Sequence, residues 1–283
     1  MHTLVTSLRR LVSLGLFALP LLAHAGLPVS SNVPGGVLVL PLGSTSVIAD
    51  KPLAWFQDLP VLVTADEGQW VAVVGLPLDS ISVMHELKVQ LGHEMVMLPF
   101  DIRPKAYPEQ YVTLKDTSKI ELSPADLARA EREIAAITAL KLHWRDAPDT
   151  DLDLIQPAKG ALGGRFGARR FFNGQMRKPH SGLDVRSASG KPVVASAAGV
   201  VLAVDDYFFN GKTVFVDHGN GLITLYCHLK RMDVKAGQTV RKGQRIGLVG
   251  QTGRASGPHL HWSVVLNGAM VDPELFLAAE RRQ

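Results

Sequence analysis

Gly257-Pro258-His259-Leu260-His261-Trp262 is the stretch on which the reading of this chain turns. It sets two histidines at spacing i, i+2, and Val264, Val265 and Leu266 continue it as a run of β-strand character. Alternate residues of a strand share a face, so both imidazoles are expected to point at one site. Pro258 can open a strand but cannot donate to a ladder from its middle, which places the pair near a strand end, within reach of a groove. Two half-buried, hydrogen-bonded histidines would look the same, so the question is whether other ligands converge on them.

Two more segments carry such residues. In His180-Ser181-Gly182-Leu183-Asp184 the even separation lets His180 and Asp184 face the same way on an extended segment. In Tyr226-Cys227-His228 the outer pair again stands at i, i+2, which would turn Cys227 away from the site as a small core residue. Together the segments supply four imidazoles and one carboxylate, enough for a three-ligand zinc site with two histidines to spare. A catalytic zinc needs three protein ligands and an open position for a water whose pKa it lowers toward neutrality. Spacing alone leaves open which three residues bind.

These motifs resemble the lysostaphin and LytM type of zinc metallopeptidases, which cut peptide cross-links in bacterial cell walls. The resemblance covers about residues 157–273. It rests on Arg177 to Asp184, Asp217-His218-Gly219-Asn220-Gly221, Tyr226-Cys227-His228-Leu229, Gly237 to Gly250, and Gly253 to Trp262. It implies zinc on His180, Asp184 and His261, with His228 and His259 as the catalytic histidines. It also implies a groove shaped by the Gly-rich segment before His180, with Asn173, Arg170 and Tyr226 as candidate substrate contacts. His218, in a Gly-flanked turn, reads as a hydrogen-bonding turn residue. Relatives that have lost ligands activate cell-wall amidases instead, so the alternative is a non-catalytic regulator; here all five motif residues are present.

The rest of the chain sets the context. With 283 residues it can hold two ordinary domains, and 46% hydrophobic with 20% charged residues is a globular composition. Arg9 and Arg10, the apolar run Leu11 to Leu22, and Ala23-His24-Ala25 read as a secretory signal peptide cut near Ala25. The run is too short, and broken by Pro20, to be a stable membrane span. Losing residues 1–25 takes the formal charge from +4 to +2, too little to argue for nucleic acid. Cys227 is the only cysteine, so no internal disulfide can form. A periplasmic or secreted protein is expected, with peptidoglycan as its partner.

The expected fold is mainly β. A β-sandwich-like N-terminal domain (26–118) should contain strands at Gly36–Leu42, Pro60–Thr64, Trp70–Leu76, Ser80–Val89 and Glu94–Phe100, with a turn at Asp66-Glu67-Gly68. A helical linker (119–149) follows, its helix starting at Ser123-Pro124 and showing Leu127, Ala130, Ile134, Ile137 and Leu140 at helical spacing. The all-β domain (150–283) has short strands between Gly-rich turns, Asn220-Gly221 among them, and no phosphate loop. His85, His93, His143 and Trp144 read as surface or packing groups. In similar proteins an N-terminal domain covers the catalytic groove, so the resemblance implies intramolecular inhibition by residues 26–118 and the helix, the alternative being a partner-docking or spacing role.

Overall fold

The computed structural model describes residues 26–113, 122–176 and 178–278. The expected signal peptide, the boundary near residue 118 and Arg177 lie outside the described residues. The chain is mainly β. Its first sheet comprises β1 (Val37–Ser44), β2 (Leu53–Phe56), β3 (Leu59–Asp66), β4 (Gln69–Gly75), β5 (Met84–Leu91) and β6 (Glu94–Asp101), in the order β1-β4-β3-β2-β5-β6 with antiparallel neighbours. All six strands join one continuous sheet that bends around a common interior, with Leu38 of β1 and Phe100 of β6 in the same buried cluster. The apolar runs predict five of these strands. The unforeseen β2 has four residues, and its turn into β3 uses Gln57 and Asp58 at φ 50° and 62° without the Asn-Gly pair that signals such turns.

Next come β7 (Glu109–Val112) and helix α1 (Pro124–Lys141). The Ser123 hydroxyl caps the helix by accepting from the Asp126 N–H at 3.1 Å. The stripe that packs differs from the expected one. Ala130 is buried and Ile137 and Leu140 rest on a core cluster, whereas Leu127 and Ile134 are exposed. The helix touches the body along one narrow line, so only part of the apolar pattern is used.

The second body contains β8 (Ala161–Leu162), β9 (Arg169–Phe172), β10 (Gln175–Met176), β11 (Leu183–Arg186), β12 (Pro192–Val194), β13 (Gly199–Tyr207), β14 (Gly211–Gly219), β15 (Leu222–Met232), β16 (Thr239–Val240), β17 (Arg245–Val249), β18 (Leu260–Leu266) and β19 (Ala269–Val271), then a 3₁₀ turn at Pro273–Phe276. Its main sheet runs β16-β13-β14-β15-β18-β11-β8. The two faces of this sheet bury different residues. One holds Leu183, Val185, Val214, Tyr226, Leu260 and Trp262; the other holds Phe215, Leu225, Cys227 and Val265 under Ile137 and Leu140 of α1. Trp262 and Tyr226, both at 0% exposure, are the largest side chains fully buried there.

The two bodies share a core. Val37, Leu62 and Val73 of the first sheet belong to the cluster that contains Leu222, Val264 and Leu266. Asn267, in the β18–β19 turn, accepts from the Gly75 N–H at 2.6 Å and donates to the Gly75 carbonyl at 3.0 Å. A second link is β7, which pairs in parallel with β9, Glu109 opposite Arg169 and Gln110 opposite Arg170.

Candidate active site

Strand pairing builds the site. Asp184 on β11 stands opposite His261 on β18, and Cys227 on β15 stands opposite the same His261. These residues therefore share the sheet face that α1 covers further along. Past the helix the face opens into a groove of about 560 Å³, with Asp184 and His259 on its floor and Pro108, Gln110 and Arg165 on its walls. Gly182 permits the close passage of β11 over β18, since a Cβ there would lie 2.6 Å from His261 Nε2 and 2.5 Å from Ser263 Oγ.

His180, Asp184 and His261 converge. His180 Nε2 lies 3.1 Å from Asp184 Oδ1, and His261 Nδ1 lies 3.0 Å from both of them. The far nitrogens have partners that orient the rings. His180 Nδ1 is 3.0 Å from the Arg165 carbonyl, which can only accept, so Nδ1 carries the proton and Nε2 the lone pair. His261 Nε2 is 2.9 Å from Ser263 Oγ, and with the hydroxyl accepting there, Nδ1 is left unprotonated. Burial works to raise the Asp184 carboxyl, and only a positive partner at the two facing nitrogens, a proton or a cation, holds the group well below the usual carboxylate range. Burial pushes His261 down, against the pull of Asp184.

Three acceptor atoms 3.0–3.1 Å apart repel one another unless a cation sits among them. Their spacing is close to the ~3.3 Å edge of a tetrahedron with ~2.0 Å bonds, the geometry zinc takes from His and carboxylate ligands. The donor set fits the ion.

The remaining two histidines stand beside this triangle. His259 donates from Nδ1 to the Gly257 carbonyl at 2.8 Å, and its Nε2 lies 3.7 Å from Asp184 Oδ1. The His228 ring is centred 4.8 Å from that of His259 and 6.0 Å from that of His261. His228 donates from Nδ1 to the Thr252 carbonyl at 2.9 Å, which frees Nε2 as an acceptor toward the groove. Burial first, then the nearby His261 and His259, push His228 down to about 4.

His228 reaches the site by a bulge. It takes φ 61°, a left-handed conformation costing about 1 kcal/mol for a non-glycine residue, and the β14–β15 register shifts between Val214 and Lys212 beside it. The bulge reverses the expected alternation. Cys227 faces the His261 side, and Tyr226 lies on the opposite face. Tyr226 is fully buried, its hydroxyl accepting from the Ser196 N–H at 2.8 Å and bonded to Thr224 Oγ1 at 2.8 Å, so it is not a groove residue. Cys227 is the small core residue expected, at 1% exposure with burial raising its thiol to about 12.

The other candidates disperse. Asn173 occupies the β9–β10 turn at φ 49°, followed by Gly174 at φ 78°, and is not among the described residues that line the groove. Arg170 joins β9 to Gln110 of β7 through the backbone; its side chain lies outside the described ones. His218 is buried, bonded to the Ala198 carbonyl at 2.8 Å and Thr224 Oγ1 at 2.7 Å. Sequence reasoning missed Ser263 and Thr252, which orient His261 and His228. Ser263 was open to the same alternation argument as the histidine pair, whereas Thr252 acts through its backbone carbonyl and leaves no sequence signal.

The chain resembles known proteins along both bodies. The model of peptidase family M23 matches residues 178–273, and that of the peptidase family M23 N-terminal domain matches residues 30–105. A crystal structure assigned to peptidase M23 from Pseudomonas aeruginosa is similar with a TM-score of 0.73 and 41% identity, covering 87% of this chain and 95% of that one. Peptidoglycan DD-endopeptidase ShyA of Vibrio cholerae is 40% identical over 116 residues, 41% of this chain and 27% of that protein. Peptidoglycan DD-endopeptidase ShyC of the same organism is 43% identical over 110 residues, 38% of this chain and 25% of that protein. The matched stretch spans about a quarter of the length of these two relatives.

Proposed function

Because the chain belongs to peptidase family M23 and carries that family's N-terminal domain ahead of the peptidase domain, we propose that it is an exported zinc metallo-endopeptidase. It hydrolyses peptide cross-links of bacterial peptidoglycan, acting as a D,D-endopeptidase on D-alanyl-diaminopimelate bonds. The observation that carries this reading is the donor triangle of His180 Nε2, Asp184 Oδ1 and His261 Nδ1 at 3.0–3.1 Å, at the floor of an open groove. A chain with the whole set fits hydrolysis better than a regulator that has lost ligands.

In this reading His180, Asp184 and His261 hold zinc, which supplies a Lewis acid and a source of hydroxide near neutral pH. His228 is neutral at that pH, so its Nε2 accepts a proton at the point of attack. His259 keeps its Nε2 toward the groove, where its lone pair accepts from the attacking water and orients it. The proton that His228 takes from the water is the one it returns to the leaving amine, so attack and departure balance.

Export follows from the sequence features of residues 1–25, with cleavage near Ala25 and a periplasmic or secreted destination. No helix among the described residues is long and apolar enough to cross a membrane. The N-terminal domain restrains the groove in this reading, since Pro108 and Gln110, from the segment joining the bodies, form one of its walls. Replacing both by glycine should raise turnover of large cross-linked fragments; unchanged turnover would remove the restraint from the account. The activity itself is tested by mass analysis of cross-linked muropeptides digested by the intact protein with and without a chelator. Monomers should accumulate only without the chelator, and intact dimers under both conditions would refute the assignment.

A further inference from the structure

Asp184 and Arg186 lie two residues apart on β11, so their side chains leave the same face roughly 6.5 Å apart along the strand. Both line the groove, Asp184 at its floor and Arg186 further along. The charged residues of that lining are Arg165, Asp184 and Arg186, and two of them are committed. Arg165 forms a two-point pair with Glu274 at 3.0 and 2.8 Å, and Asp184 is engaged by His180 and His261. Arg186 is exposed and makes no ion pair or side-chain hydrogen bond among the described residues. Its stem runs over Gly163, where an added Cβ would sit 3.2 Å from Arg186 Cγ and 3.0 Å from Nε. The bare backbone of Gly163 therefore gives the side chain a bed along the groove wall.

We propose that Arg186 is a specificity-determining residue that holds a substrate carboxylate beside the scissile bond. A guanidinium is a planar fork matched to two carboxylate oxygens, and the one carboxylate of the groove lining, Asp184, is already engaged by His180 and His261. This inference rests on the function proposed above and deepens it. In a D-alanyl-diaminopimelate bond, the carbon that bears the amide nitrogen also bears a carboxylate. An anion thus lies on the leaving-group side, within a few bonds of the carbonyl that the donor triangle addresses, which is how Arg186 stands relative to Asp184.

The test compares two cross-linked muropeptide dimers, one with that carboxylate free and one with it amidated, on the intact zinc-loaded protein. Wild type should prefer the free acid. In Arg186→Gln the ratio of kcat/KM between the two dimers should fall by roughly 10- to 100-fold, mainly through KM, as a charge-assisted pair is lost. Arg186→Lys should keep part of the preference, because it retains the charge without the fork. General damage to the fold would lower both rates together and leave the ratio unchanged. A wild-type ratio that Arg186→Gln does not change would overturn the role of Arg186 while leaving the hydrolase reading intact. Failure of wild type to cleave either dimer would overturn the hydrolase reading and this inference with it.

Discussion

His228 donates from Nδ1 to the Thr252 carbonyl at 2.9 Å, and Thr252 is itself fixed from two sides. Its hydroxyl donates to the Leu229 carbonyl at 2.8 Å and accepts from the Lys212 N–H at 2.9 Å, tying β14 to β15 at the bulge. Thr252→Val removes both bonds and frees the carbonyl that aims His228. Turnover should fall by about 10- to 100-fold, as expected when a catalytic group is displaced by ~1 Å. Zinc content should stay that of wild type. Steady-state kinetics with metal analysis decides it, and parallel loss of zinc would show that Thr252 supports the metal site instead.

In the proposed reading Ser263 orients a metal ligand rather than a proton carrier. Ser263→Ala takes away the partner of His261 Nε2, and zinc affinity should drop about 10- to 100-fold in a competition titration with a chelator. Gly182→Ala should do at least as much, because its Cβ would press on the same ring. Wild-type affinity in both variants would mean that His261 needs no support.

Tyr226 separates a buried structural role from a substrate contact. Tyr226→Phe leaves the buried Ser196 N–H without its acceptor, at a cost of about 1–3 kcal/mol in denaturant unfolding. KM for cross-linked muropeptides should not move. A raised KM with unchanged stability would return Tyr226 to the groove.

How far the sequence could be read is clearest around this residue. The even spacings, two for His259 and His261 and four for His180 and Asp184, were enough to bring each pair to one site, because Asp184 and His261 stand on paired strands and their partners lie just before those strands begin. The same rule failed at Tyr226 and Cys227, since an extra residue at the His228 bulge shifts the phase and a histidine at positive φ gives no glycine to announce it. Long strands were legible from their apolar runs. The short β8, β10 and β19, of two or three residues, owe their existence to neighbours rather than to their own pattern. The groove wall was not legible either, because Pro108 and Gln110 come from a linking strand far away in sequence.

His218 makes acid stability a test of the core behind the site. Burial lowers its pKa below that of the unfolded chain, against the pull of Asp217 and Asp151 and with that of Arg145. The unfolded state therefore binds the extra proton first. Its contribution is fully present above about pH 6.5 and is lost as pH falls below that toward the folded-state pKa. Between pH 7 and 5 wild type should lose more unfolding free energy than His218→Gln; equal losses would place the titration elsewhere.

His259 and His261 divide the labour in the proposed reading, one facing the substrate and the other holding the metal. Zinc per chain and turnover of cross-linked muropeptides, measured on wild type, His261→Ala and His259→Ala, test it most directly. His261→Ala should lose zinc and turnover together, whereas His259→Ala should keep its zinc and lose turnover. Equal zinc loss in both variants, or full turnover in either, would contradict it.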